Sequence, residues 1–456
     1  MRNLAWLTLV ALAACGGKLG DGSDAGDGGP LTDAIAKKDV KTFDVAPEPD
    51  AAPPSGGLNV SGEGPGWESE DQIAVAPDGT IAILWSAFTS EAPYVTMQYA
   101  FSTDDGKTFS TPAPVQVDSG LFPGDPAITA DAQGNFWASY LGIDYQGQQV
   151  AYSRVLVAES PKGTMKFGAP VEISAPTTTD LNDHPKIFVT KAGTLLVGWA
   201  TYPNGGNATS GTGVVARSTD GTTWTLDDLI APPDAIFGTF FWFCEGASKV
   251  YTTFLEAKDS QYFAGMRASA DDGVTFDATT TMVSGPSEQI ASLDPACAAI
   301  GPDLWVMYGT TQQPSVDEST LDGADHVFIV HSSTEGATFD PPHTDVIDHQ
   351  KTKLATIPLI SLDATGKVDT AYVAGDTAGD MNGSIRFTRI DTLTPIPKVS
   401  PSVFVDGPME FDLSRTDDAW LGDYFGGVAH GGSFYLAYPR NETGLDHIYF
   451  AKMPLP

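Results

Sequence analysis

Five short segments of this 456-residue chain carry carboxylates at matching offsets: Asp71, Asp125, Asp183 with His184, Asp294, and Asp423 with Tyr424. If they converge, such groups can hold a cation, accept the hydroxyls of a polyol, or work as acid and base in glycoside cleavage. The competing role is structural, since an aspartate before proline often fixes strand entry by bonding nearby backbone. Glu245 follows the apolar residues 240–244, a setting in which burial would raise its pKa. Glu245, Tyr424 and Asp125 are therefore the catalytic candidates, with Glu245 and Tyr424 the pair to test as a nucleophile unit. Asp71, Asp183, His184, Asp294 and Asp423 are the ligand-binding candidates. The dense aromatics Phe237, Phe240, Phe241, Trp242 and Phe243 suit either stacking on a pyranose ring or packing between sheets. No glycine-rich phosphate loop, HExxH helix or GxSxG elbow is present, and the seven histidines lack ligand spacing.

The elements that must position these groups repeat. An aromatic follows a glycine by six residues at Gly79/Trp85, Gly134/Tyr140, Gly193/Trp199, Gly366/Tyr372 and Gly432/Tyr438, with weaker copies ending at Phe254 and Tyr308. These seven aromatics recur every 54 to 66 residues, so each unit is one module that buries its apolar face only by stacking on its neighbours. In the first unit, residues 71–76 and 81–87 read as strands joined by the turn at 77–80, with further strands at 94–101 and 114–117. Four antiparallel strands make a blade, and a ring of blades is an all-β propeller. Seven blades are expected; the irregular unit at 237–257 leaves six as the alternative. The last unit lacks a fourth strand, and residues 57–62 are expected to supply it, so that the two ends of the ring pair. In such a ring the first residues of each opening strand face the central mouth, which is where the carboxylates above fall.

Between third and fourth strands lies a sharper signature: Ser102-Thr-Asp104-Asp-Gly106-Lys-Thr-Phe109 and Ser269-Ala-Asp271-Asp-Gly273-Val-Thr-Phe276. Near copies are Ser218-Thr-Asp220-Gly221-Thr-Thr-Trp224 and Ser332-Ser-Thr-Glu-Gly336-Ala-Thr-Phe339. These turns resemble the Asp-box (BNR repeat) of the sialidase-like superfamily, over most of residues 67–456. Locally, the aspartate accepts backbone N–H bonds, the glycine takes positive φ and the aromatic packs between sheets. The resemblance implies that the boxes are structural and lie away from a catalytic face. It also implies three arginines holding a substrate carboxylate and a tyrosine activated by glutamate. No arginine occurs between Arg2 and Arg154, and Arg154, Arg217 and Arg267 fall on third strands, so the arginine set is not matched here.

Acidic residues number 58 against 24 basic ones, a formal charge of −34, which opposes nucleic acid and anionic lipid. No cofactor is implied; Ca2+ is the cation that clustered carboxylates on such a surface would favour. Arg2, the apolar residues 4–14 and Leu12-Ala13-Ala14-Cys15 resemble a bacterial lipobox, which implies a signal peptide over 1–15 and lipidation of Cys15. Residues 16–57 are Gly/Asp/Pro-rich without apolar periodicity and are expected to be a disordered tether, leaving 58–456 as one propeller. In an oxidising compartment Cys244 and Cys297 either bridge neighbouring blades or remain buried thiols. The expectation is a monomeric, extracytoplasmic lipoprotein, anchored to the envelope by lipid alone, sorted to an outer membrane, binding glycan or a surface protein. The alternative is a glycoside hydrolase working at the propeller mouth.

Overall fold

The computed structural model describes residues 57–62, 66–89, 95–118, 120–146, 149–203, 211–230, 237–258, 261–285, 288–290, 295–311, 326–347, 354–375, 383–391, 398–409, 422, 424–441 and 446–455. Cys15, most of the tether, Asp294 and Asp423 lie outside them. The described elements are all strands, in seven antiparallel sheets. Blade 1 runs Trp67–Val75, Ile81–Phe88, Val95–Ser102 and Ala113–Pro114; its opening strand begins before the expected residue 71, which puts Asp71 inside the strand rather than at its start. Blades 2, 3 and 4 open on Phe122–Ala130, Leu181–Val189 and Phe237–Glu245. Blades 5, 6 and 7 have Ala296–Ile300, Leu354–Leu362 and Gly426–His430 in that place. The irregular unit is a complete blade, so the six-blade alternative is excluded. Each opening strand touches the opening strands of the blades on either side, and blade 7 touches blade 1, which closes the ring about an axis.

Closure is made by the chain's own start. Leu58–Asn59 pairs antiparallel with Asp446–Pro454 of blade 7, at Leu58 with Phe450 and Asn59 with Tyr449. The Val60 N–H donates to Ile448 O at 2.8 Å, and the Ile448 N–H donates to Ser61 Oγ at 3.0 Å. Val60 is buried with Ile73, Ile83, Trp85 and Phe450, joining the first and last blades. The seven recurring aromatics are almost wholly buried between blades. Their polar tips are met there, as where Trp85 Nε1 donates to Glu68 at 3.1 Å and Tyr438 donates to Asp406 at 2.7 Å.

The Ser-x-Asp turns share one geometry. Asp104 accepts the Thr108 N–H at 2.9 Å, Asp271 accepts the Thr275 N–H at 2.8 Å, and Asp220 accepts both Thr222 and Thr223 N–H groups. In blade 5 the Thr334 hydroxyl accepts the Thr338 N–H at 3.0 Å in place of a carboxylate. The glycines close onto the preceding blade: a Cβ on Gly221, at φ +71°, would stand 2.3 Å from the Trp137 ring. Phe109, Trp224, Phe276 and Phe339 pack against the interblade cores. A further feature escaped the sequence reading. The acidic residue before the glycine, at φ +66° in Asp105, +60° in Asp272 and +53° in Glu335, latches onto the preceding blade. Asp105 accepts from Tyr435 at 2.7 Å, Asp272 bonds Thr194, and Glu335 accepts from Ser248 at 2.7 Å.

Hydrogen bonds from the turn hold the Asp104 and Asp271 carboxyls down, each to about 2. A carboxyl depressed in the folded state stabilises above its unfolded pKa near 4, and that contribution is lost as pH falls through the folded value. Thermal melts should therefore fall between pH 4 and pH 2, more steeply in the parent than in an Asp104→Asn, Asp271→Asn double variant. Equal slopes in calorimetry would contradict this.

Candidate functional site at the propeller axis

The opening strands of blades 1, 2, 3, 4 and 6 share a register break, at Ser69/Gln72, Gly124/Ala127, Asp183/Lys186, Thr239/Trp242 and Thr356/Leu359. Such bulges re-aim side chains that strict alternation would send into the sheet stack. At three of them a non-glycine residue takes the left-handed region: Glu70 at φ +55°, Asp125 at +50° and His184 at +48°. Conformations of this cost persist where surroundings over-determine them, often at functional sites.

Of the carboxylates expected at the mouth, Asp71, Asp125 and Asp183 are described and are buried, and two of them join blades through main-chain bonds. Asp125 accepts the His184 N–H at 3.1 Å, from blade 2 to blade 3, and Asp71 accepts the Gly426 N–H at 3.2 Å, from blade 1 to blade 7. Asp183 Oδ1 stands 3.5 Å from His184 Nε2. The His184 and Gly426 partners belong to neighbouring blades, so Asp125 and Asp71 tie blades together in addition to any local role. Across the axis, Lys186 Nζ of blade 3 donates to Gln72 Oε1 of blade 1 at 2.7 Å. The same ammonium sits 4.1 Å from the Trp242 ring centroid of blade 4 and 5.6 Å from that of Tyr424 of blade 7. The His184 ring meets Tyr424 edge-on at 6.4 Å. Tyr145, at the end of Phe136–Gln146, brings a buried hydroxyl to the same region.

Burial pushes the Asp71 carboxyl well above its ordinary value, opposed by the Gly426 N–H. Burial also drives the Tyr145 phenol far up, with the charges of Asp125 and Glu70 adding to the effect. An aspartate raised by burial contributes its stability fully at low pH and loses it as pH rises through the folded pKa. Asp71→Asn keeps an acceptor for Gly426 and removes the buried charge. It should melt about 2–4 °C above the parent at pH 8, as ~1 kcal/mol would produce, with the gap closing toward pH 4. A lower midpoint at pH 8 would show that the ionised carboxylate is needed.

One expectation needs correction. Glu245 does not join Tyr424: it ends its strand, beside the turn to Val250, whereas Tyr424 precedes the start of its own. At ~3.3 Å per residue the two lie at opposite ends of the ring, ~15 Å apart along the axis. The Glu245 carboxylate is held at that far end by the Lys191 N–H at 2.6 Å. The tyrosine and glutamate therefore form no nucleophile unit. The aromatic run divides too: Phe241 and Phe243 are interblade core, while Trp242 reaches the axis; the side chains of Phe237 and Phe240 lie outside the described residues.

Nor do arginines gather at the mouth among the described residues. Arg154 pairs with Glu172 at 3.1 Å on the outer part of blade 2, and Arg267 donates to Leu229 O between blades 3 and 4. Arg217 lies on the third strand of blade 3. The described cation at the axis is Lys186. Glu70, Gln72, Tyr145 and Lys186 were missed in the sequence. The sequence carried no signal for them, because each opening strand slips by one residue at its bulge, which re-aims Lys186 and Gln72. Cys244 and Cys297 are joined in a disulfide between the opening strands of blades 4 and 5.

No protein-family model and no curated protein matches the chain. Among solved structures it is similar to a protein of unknown function from Dyadobacter fermentans DSM 18053, at TM-score 0.52 and 12% identity over 88% of this chain and 98% of that one. It is also similar to the Hadza microbial sialidase Hz136, at TM-score 0.54 and 13% identity over 88% and 68% of the two chains. Phage phi92 endosialidase gives TM-score 0.50 and 9% identity over 88% and 69%. At these identities the likeness shows the fold alone, a seven-bladed β-propeller.

Proposed function

We propose that this chain is an exported, lipid-anchored Asp-box propeller that binds neutral glycan through its axial mouth. Cys15 carries the anchor, residues 16–57 hold the ring off an outer membrane, and the ring works as a monomer. One observation carries the binding reading: Lys186, Trp242, Tyr424 and Gln72 from four blades meet across the axis beside buried carboxylates from blades 1 to 3. Aromatic faces with convergent, rigidly held polar groups suit a polyol ring. A charge of −34 and an axial mouth without described arginines favour a neutral sugar over an anionic one.

A second reading, glycoside hydrolysis, has a specific observation behind it. Burial raises the pKa of the Asp71 carboxyl, which lies in the same hub as Asp125 and the phenols of Tyr145 and Tyr424. Environments that hold one acid protonated beside another carboxylate are what acid/base cleavage requires. A glycan array and a panel of fluorogenic glycosides separate the two. Binding without turnover, weakened about tenfold or more by Trp242→Ala, supports the binding module. Turnover abolished by Asp125→Asn would replace it with the hydrolase. Neither binding nor turnover on any neutral glycan would end both.

A further inference from the structure

We propose that Asp125, Asp183 and His184 form a binding site for a first-row divalent metal ion, Mn2+ or Zn2+, at the hub of the ring. One ligand atom from each side chain, two carboxylate oxygens and an imidazole nitrogen, lies within 4.8 Å of the others, and all three residues are buried. Donors about 2.0–2.2 Å from a shared ion stand about 3–4 Å apart, and the Asp183 Oδ1 to His184 Nε2 separation is already 3.5 Å. Small rotamer shifts would bring the third donor in.

The backbone prepares the set. His184 follows Asp183 directly, and its left-handed φ of +48° turns the imidazole back beside its neighbour's carboxylate. One Asp125 oxygen accepts the His184 N–H at 3.1 Å, which fixes the carboxylate and leaves the other oxygen for the ion. A second observation points to a ligand here. The Tyr145 hydroxyl is buried with no hydrogen-bond partner among the described residues. It lies close enough to Asp125 and Glu70 to feel both charges. A buried phenol left so is costly, and a water carried by the ion beside Asp125 would give it a partner.

The donor chemistry selects the ion. Ca2+ takes six to eight oxygens, which an imidazole and two carboxylates do not approach, whereas mixed nitrogen and carboxylate sets suit Zn2+ and Mn2+. Glu70, Asp125 and Asp183 outnumber Lys186, the described lysine at the hub, whose ammonium also donates to Gln72. The metal site does not rest on glycan binding; a ring that binds no sugar can still hold the ion.

The test uses the full chain freed of metal with a chelator and titrated calorimetrically with Mn2+, Zn2+ and Ca2+. One saturable equivalent is expected for Mn2+ or Zn2+, bound at least tenfold more weakly by Asp183→Asn and His184→Gln. Asp104→Asn, at the opposite end of the blades, should bind as the parent does, which separates the site from diffuse attraction by an acidic surface. Pulsed paramagnetic resonance of the Mn2+-loaded parent should show nitrogen coupling from one imidazole, a readout that does not depend on any variant folding. The proposal is overturned by the absence of a saturable equivalent, by tighter binding of Ca2+ than of the other two ions, by Mn2+ without nitrogen coupling, or by folded variants that bind like the parent.

Discussion

Deleting residues 57–62 should lower the thermal midpoint by on the order of 10 °C, whereas deleting residues 18–50 should leave it within about 1 °C. The short segment is two paired residues and a turn, but it completes a blade and closes a ring. Burial of Val60 is worth about 2 kcal/mol, and each main-chain hydrogen bond to blade 7 adds about 1 kcal/mol net. The loss of about 4–5 kcal/mol falls on a single cooperative unit, because blades 1 and 7 share the core that contains Val60, Trp85, Ile448 and Phe450. Deletion also leaves Asp446–Pro454 as an open edge, so the shortened protein should associate at concentrations where the parent stays dispersed. Differential scanning calorimetry with light scattering reads both effects. A midpoint shift under about 2 °C would mean that the ring does not depend on this closure.

The second large effect is at the Cys244–Cys297 bridge. It spans 53 residues, Cα to Cα 5.8 Å, and ties the opening strands of blades 4 and 5. In the chain-entropy account, closing a loop of that length in the unfolded state is worth about 4 kcal/mol. Both cysteines are buried in the blade 4/5 core with Tyr251, Leu255 and Tyr308, so reductant should reach the bond slowly. A Cys244→Ser, Cys297→Ser variant should therefore unfold at a denaturant midpoint clearly below the oxidised parent. Reduced parent, once unfolded and refolded under thiol, should match the variant. Coincident denaturation curves for oxidised and reduced protein would show that the bridge contributes nothing.

The fold was readable because its information is periodic. Trp85, Tyr140, Trp199, Phe254, Tyr308, Tyr372 and Tyr438 mark the second strand of each blade, and the Ser-x-Asp turns mark the step from third strand to fourth. The missing strand after Asp446–Pro454 was readable for the same reason, as a gap in a count of four. The site was harder, because a strand reading places residues on a line without saying which end of the ring they reach. Glu245 looked like a partner for Tyr424, and only the register showed that it ends its strand while Tyr424 precedes one. One-residue bulges then break the alternation that would predict side-chain direction, which is why Glu70 and Lys186 went unseen beside Asp71 and His184. The interblade latches at Asp105, Asp272 and Glu335 were hidden differently. Their partners lie a whole blade away, and nothing local distinguishes a latching carboxylate from a solvated one.

The claim on which the functional account rests is that the axial mouth is where the ligand sits. Diffraction from crystals soaked with the tightest-binding neutral glycan tests it directly. The account predicts a sugar ring against Trp242 or Tyr424, with hydroxyls within hydrogen-bond distance of Lys186 or the Asp125 and Asp183 carboxylates. Sugar bound on the outer strands, or at the end of the ring that carries the Ser-x-Asp turns, with the axis free of it, would contradict the account.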